Sequence, residues 1–139
     1  MAAYKILIDA MGGDYAPQGP VDGALLACER HPELSVVLAG RQDQIEKALE
    51  GKQYDSSRVT ILHKEQVVEN EEHNPAEAVR SKRDSSMMYG MTMVKNHEVD
   101  GMVSAGNTGA VLAGATLLVG RIPGVSRPAL SVGLPGRKG

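Results

Sequence analysis

The chain contains no phenylalanine, no tryptophan and a single cysteine, and four tyrosines are its only aromatic residues. Nucleic-acid binding by stacking bases on aromatic rings is therefore not expected. The core must be built from Leu, Val, Ile, Ala and the seven Met. One cysteine, Cys28, excludes an internal disulfide framework and a multi-cysteine metal site, and it fits a reducing compartment. No apolar run reaches the ~18 residues that a membrane-spanning helix needs. The opening Met-Ala-Ala-Tyr-Lys enters a strand-like run at once, so no signal peptide and a cytoplasmic protein are expected. Acid is missing from one whole region, since no Asp or Glu follows Asp100. Residues 1–100 carry 17 acidic and 11 basic side chains, a net −6. Residues 101–139 carry only Arg121, Arg127, Arg137 and Lys138, a net +4. An acid-free basic end next to glycine invites an anion, although basic residues clustered on a solvated face give the same count.

What is present is ordinary soluble-protein material: 139 residues, 42% hydrophobic and 23% charged. That length suits one domain or part of a larger one. Residues 4–9 form an apolar run closed by an acid and read as a buried strand. Pro20 opens a helix with Val21, Ala24, Leu25 and Cys28 on one face, and His31-Pro32 stops it. Residues 34–39 read as a second strand, 42–50 as an amphipathic helix and 59–62 as a third strand. Asn74-Pro75-Ala76-Glu77 carries a cap, a first-position proline and a capping-box acid, so a helix runs from there to about Arg83. Ser85 and Ser86 mark a second cap or break, after which Met87, Met88, Met91 and Val94 follow at helical spacing and read as core. Residues 99–103 read as a fourth strand, a helix reaches from near Thr108 to about Gly120, and residues 129–134 read as a fifth strand. Strands alternate with helices, and the strands are continuous apolar runs. The expected fold is therefore α/β, with Rossmann-like βαβ layers on a mostly parallel sheet.

In such sheets, ligands bind beyond the carboxyl ends of the strands. Two glycine-containing loops fall there, residues 9–14 and residues 104–109. In the second, Gly106 and Gly109 permit close backbone approach, and Ser104, Asn107 and Thr108 add polar side chains. The helix that follows aims its free N–H groups and positive end at the loop. The same residues also make an ordinary strand–helix turn with a cap. The loop is not a dinucleotide fingerprint, because Ser104 stands where the first glycine is needed and no acid follows. In the first loop, Asp9 and Asp14 border the pocket, and Gly12 and Gly13 are free to take positive φ. Its two carboxylates suit Mg²⁺ binding, general-base work, or a purely structural part as caps and loop braces; the structural part is favoured for at least one of them. Arg83, Ser85 and Ser86 form a third polar cluster, which either places a cation near the second loop or is a solvated face. The four histidines show no metal-ligand spacing, so no metal is expected, and Cys28 reads as packing.

Five blocks in order carry a resemblance. They are Ile-Asp-Ala-Met-Gly-Gly-Asp-Tyr-Ala-Pro at 8–17, Pro-Ala-Glu-Ala-Val-Arg at 75–80 and Lys-Arg-Asp-Ser-Ser-Met at 82–87. The others are Val-Ser-Ala-Gly-Asn-Thr-Gly-Ala at 103–110 and Gly-Arg-Ile-Pro-Gly-Val-Ser-Arg-Pro-Ala-Leu at 120–130. Together they resemble the amino-terminal part of the bacterial phosphate acyltransferase family of phospholipid synthesis. The resemblance implies that acyl-[acyl carrier protein] and orthophosphate give acyl phosphate and free carrier protein, with no cofactor. It also implies a fold like that of isocitrate and isopropylmalate dehydrogenases, a homodimer, and residues 1–139 as the amino-terminal α/β portion of a larger enzyme whose carboxyl-terminal part is absent. It leaves room for peripheral membrane contact or a membrane acyltransferase partner. Under it, Asn107 and Ser104 are the catalytic candidates. Gly106, Thr108, Gly109, Asp9, Gly12, Gly13, Asp14, Arg83, Ser85, Ser86 and Arg127 are the phosphate- or substrate-binding candidates. The chemistry suits them, because orthophosphate is itself a nucleophile and a thiolate is a fair leaving group. Carrier proteins of this type are acidic, so the basic end could dock one. Two rivals are a phosphotransacetylase-like enzyme using acyl-CoA and an inactive fragment or interaction module.

Overall fold

A computed structural model of the chain describes residues 3–69, 71, 73–131 and 133. In chain order the elements are β1 (Tyr4–Asp9), α1 (Gln18–Arg30), β2 (Leu34–Gly40), α2 (Gln42–Leu49), β3 (Val59–His63), α3 (Pro75–Ser81), α4 (Ser86–Lys95), β4 (Gly101–Val103) and α5 (Thr108–Gly114). A π-helical stretch, Ala115–Val119, continues α5. The four strands form one sheet in the order β3-β2-β1-β4, and every pairing is parallel. The protein is thus α/β, with β1 inside the sheet and Ile8 in register with both Leu38 and Val103.

Strand alternation divides the apolar runs between two faces. Ile8, Val36 and Leu38 pack with Val21, Ala24 and Cys28 of α1 and Ile45 of α2. Leu7, Val37 and Ala39 pack the other way, with Met93 of α4 and Val99. The methionine stripe is core: Met87, Met88 and Met91 are buried against Val68, Ala78, Val79 and Ala110. An unbranched thioether fits this irregular junction of three helices, where no aromatic ring is available.

Element ends differ from expectation in informative ways. α1 begins at Gln18, two residues before Pro20, because a first-turn proline lacks only an N–H that has no helical partner. α3 stops at Ser81, short of Arg83. β4 starts at Gly101, since Val99 turns into the core and the Asp100 N–H bonds the Lys5 carbonyl at 2.8 Å. The fifth strand is not formed at residues 129–131 or 133; Val132 and Leu134 lie outside the described residues. An apolar run becomes a strand only with a ladder partner and a face to bury, and residues 120–131 are exposed throughout. That exposed stretch instead folds on itself, with the Arg121 guanidinium donating to the Ser126 carbonyl.

Candidate functional site

The carboxyl ends of β1 and β4 lie side by side, so the two glycine loops meet there. Asp9, the last residue of β1, is 3% exposed. Its Oδ1 accepts from Ser86 Oγ at 2.6 Å and from the Met11 N–H at 3.2 Å. Its Oδ2 lies 2.8 Å from Ser104 Oγ. One buried carboxyl therefore fastens the loop after β1, the start of α4 and the loop after β4. Burial pushes the Asp9 carboxyl above its ordinary value; the Ser86 and Ser104 hydroxyls and the Met11 N–H pull it back less.

Glycine is required where the loops touch. A Cβ on Gly12 would come within 2.9 Å of both Asp9 Oδ2 and Ser104 Oγ. Gly13 has φ +88°, and a Cβ there would meet Ala105 Cβ at 2.9 Å. Gly109 serves packing in the same way, since its Cβ would meet Pro75 Cγ at 3.0 Å, where α5 starts against α3.

The polar side chains divide into those that build the site and those that border it. Ser85 is fully buried and caps α4, accepting from the Met88 N–H at 3.2 Å. Ser86 is buried and committed to Asp9. Asn107 caps α5, its Oδ1 accepting from the Ala110 N–H at 2.9 Å. Ser104 is half-buried, bonded to Asp9 and 2.8 Å from the Gly106 carbonyl. Thr108 and Asp14 are exposed, and Gly106 is partly so. Asp9, Gly12, Gly13 and Asp14 border one end of a cavity of ≈ 750 Å³. That cavity runs between α1 and the sheet, along Ile6, Ile8, Val36 and Val103.

Arg83 and Arg127 are exposed, and no hydrogen bond or ion pair joins either to the Asp9 cluster. Arg137 and Lys138 lie outside the described residues. Three contributors carry no side-chain signal of their own, although Met11 and Ala105 lie within the two glycine loops. Ala105 supplies the surface on which Gly13 rests. Met11 contributes a backbone N–H. Gln66 accepts from the Ser86 N–H at 3.3 Å and pairs with Ser85, holding the start of α4 in place. Among the described residues, no cluster of His, Cys, Asp and Glu could hold a metal ion, and no helix is long and apolar enough to cross a membrane.

Comparison with known proteins adds the family. Residues 4–139 match the family described as "Fatty acid synthesis protein". The chain is 50% identical over 131 residues to the phosphate acyltransferase of Dictyoglomus turgidum, covering 94% of this chain and 38% of that protein. It is 44% identical over 135 residues to the phosphate acyltransferase of Clostridium novyi, covering 97% and 40% respectively. For the phosphate acyltransferase of Clostridium tetani the identity is 42% over 133 residues, covering 96% and 40%. The chain thus spans about 40% of the length of these relatives and aligns with them almost end to end. The chain belongs to the fatty acid synthesis protein family, among whose relatives phosphate acyltransferases are named.

Proposed function

We propose that the chain is the amino-terminal part of an acyltransferase of lipid synthesis that makes acyl phosphate from acyl-[acyl carrier protein] and orthophosphate. The observation that carries this reading is the fastening of two glycine loops through Asp9, in a chain of this family. The reaction needs little from the protein besides position and charge. Orthophosphate attacks the thioester carbonyl, and the thiolate departs with a pKa of about 8.5, so no nucleophilic side chain is required. What remains is to hold the anion and stabilise the tetrahedral oxyanion. In this reading the loop of residues 104–109 does both. The first N–H groups of α5 have no intrahelical partner. Thr108 stands exposed beside them, and Asn107 fixes where the helix begins. Arg83 and Arg127 are the cations offered to phosphate from outside.

The test is a substrate panel on the full-length enzyme carrying this sequence. Orthophosphate is supplied with palmitoyl-[acyl carrier protein], palmitoyl-CoA or acetyl-CoA in turn. Acyl phosphate is expected from the carrier-protein thioester, whereas preference for acetyl-CoA supports a phosphotransacetylase. Asn107→Ala is expected to lower kcat about 100-fold, as misplacement of a positioning loop does, while its melting temperature drops by only a few degrees. Unchanged acyl phosphate output from that variant would remove the loop from the mechanism. A second reading follows from the chain spanning about 40% of its relatives: a module that keeps the fold without the catalysis. Rescue of a strain lacking acyl-phosphate synthesis by the 139-residue chain alone excludes it.

A further inference from the structure

Three oxygen–oxygen contacts around Asp9 need a proton each. Ser86 Oγ to Asp9 Oδ1 is 2.6 Å, Ser104 Oγ to Asp9 Oδ2 is 2.8 Å, and Ser104 Oγ to the Gly106 carbonyl is 2.8 Å. Two lone pairs facing each other at such distances repel unless a proton lies between them. The two serine hydroxyls supply two protons, and a carbonyl oxygen supplies none. With Asp9 ionised, Ser104 must leave either the carboxylate or the Gly106 carbonyl without a proper bond. With Asp9 protonated on Oδ2, all three contacts close: Asp9 donates to Ser104, Ser104 to Gly106, and Ser86 to Oδ1.

We propose that Asp9 carries a proton in the assembled site and donates it to Ser104 Oγ, which makes Asp9 the positioning residue of the anion loop. Its surroundings agree. Asp9 is 3% exposed and, among the described residues, has no Lys, Arg or His bonded to it. The charged groups on the elements around it are few and engaged elsewhere or turned outward. Asp14 is on its own loop and exposed; Lys82, Arg83 and Asp84 precede α4, with Asp84 bonded by Lys64; Arg41 and His63, beyond β2 and at the end of β3, face Glu65. The loop after β4 carries no titratable group. The Ser86 and Met88 N–H groups at the start of α4 bond Gln66 and Ser85, and neither bonds Asp9. Burial pushes the Asp9 carboxyl upward, the direction the arrangement requires. A neutral acid beneath the loop also removes the repulsion that a buried carboxylate would exert on an incoming phosphate. This last consequence rests on the phosphate reading above; the proton itself does not.

The test begins with carbon-13 NMR of the Asp9 carboxyl in the 139-residue chain across pH. Its midpoint is expected above the pH at which the enzyme binds orthophosphate, so that the resonance there is that of a protonated acid. A midpoint below that pH overturns the proposal. In the full-length enzyme, orthophosphate binding is expected to weaken as pH rises through the Asp9 midpoint. Asp9→Asn, whose amide donates where the acid did, should bind orthophosphate within about threefold of the parent and lose that pH dependence. Asp9→Ala should bind about tenfold or more weakly, having left buried partners unpaired. A folded Asp9→Asn variant as weak as Asp9→Ala overturns the proposal. If the parent enzyme binds no orthophosphate at any pH, the phosphate reading falls, and the NMR midpoint, set against neutral pH, still decides the proton.

Discussion

Gly13 shows how little freedom the site leaves a single residue. Its φ of +88° is a region that side-chain-bearing residues avoid, and a Cβ would press on Ala105 at 2.9 Å. Gly13→Ala is therefore expected to cost about 1–3 kcal/mol of stability, read as a lower urea midpoint; an unchanged midpoint would mean that the two loops do not bear on each other. The sequence makes Gly12 and Gly13 recognisable as turn residues and Asp9 as the end of a strand. It does not show what they are for, because their partners lie far along the chain: Ser86 is 77 residues from Asp9, and Ser104 is 95. A serine before a helix reads as a cap, which Ser85 is. Nothing local tells that its neighbour Ser86 turns inward to the Asp9 carboxyl. Asn107 likewise reads as a polar group open to ligand, and its cap on α5 emerges only when the helix start is fixed.

At the scale of elements, α1 carries a weakness that is open to repair. Gly23 sits inside this helix, and a Cβ there would meet nothing within 4 Å. Gly23→Ala should raise stability by roughly 0.5–1 kcal/mol, the usual gain from a good helix former with no new contact. Thermal denaturation checks it, and a lowered melting temperature would show that α1 needs that glycine. Most elements were legible because hydrophobic period and caps agreed: β1 matches residues 4–9, and Asn74-Pro75 opens α3 as its capping residues require. The fifth strand expected at residues 129–134 is not formed at 129–131 or 133, since an apolar run states a preference for burial but not the presence of a partner edge. β4 shows the same limit, as Val99 belongs to the core without belonging to the ladder.

For the whole molecule, the lone cysteine is a reporter of cooperativity. Cys28 is 5% exposed on the inner face of α1, and burial pushes its thiol upward, so little reactive thiolate reaches solvent. Alkylation by iodoacetamide should be slow in the folded chain and should rise with denaturant in step with global unfolding. Fast labelling without denaturant would instead show α1 detaching on its own. The parallel layout was readable as a class from alternating elements, and the β3-β2-β1-β4 order was not, because the crossover from β3 to β4 passes two helices and a long connection.

The strand order also sets a clock. β1 lies between β2, which follows it closely, and β4, which arrives only after most of this chain has been made. At a synthesis rate of about 5–20 residues per second, the 95 residues from Asp9 to Ser104 take roughly 5–20 s to emerge. For that interval a nascent chain can pair β1 with β2 and bury α1, yet Asp9 has neither Ser86 nor Ser104 until each is translated. The carboxyl on which both loops depend is therefore made well before the two serines that complete its setting.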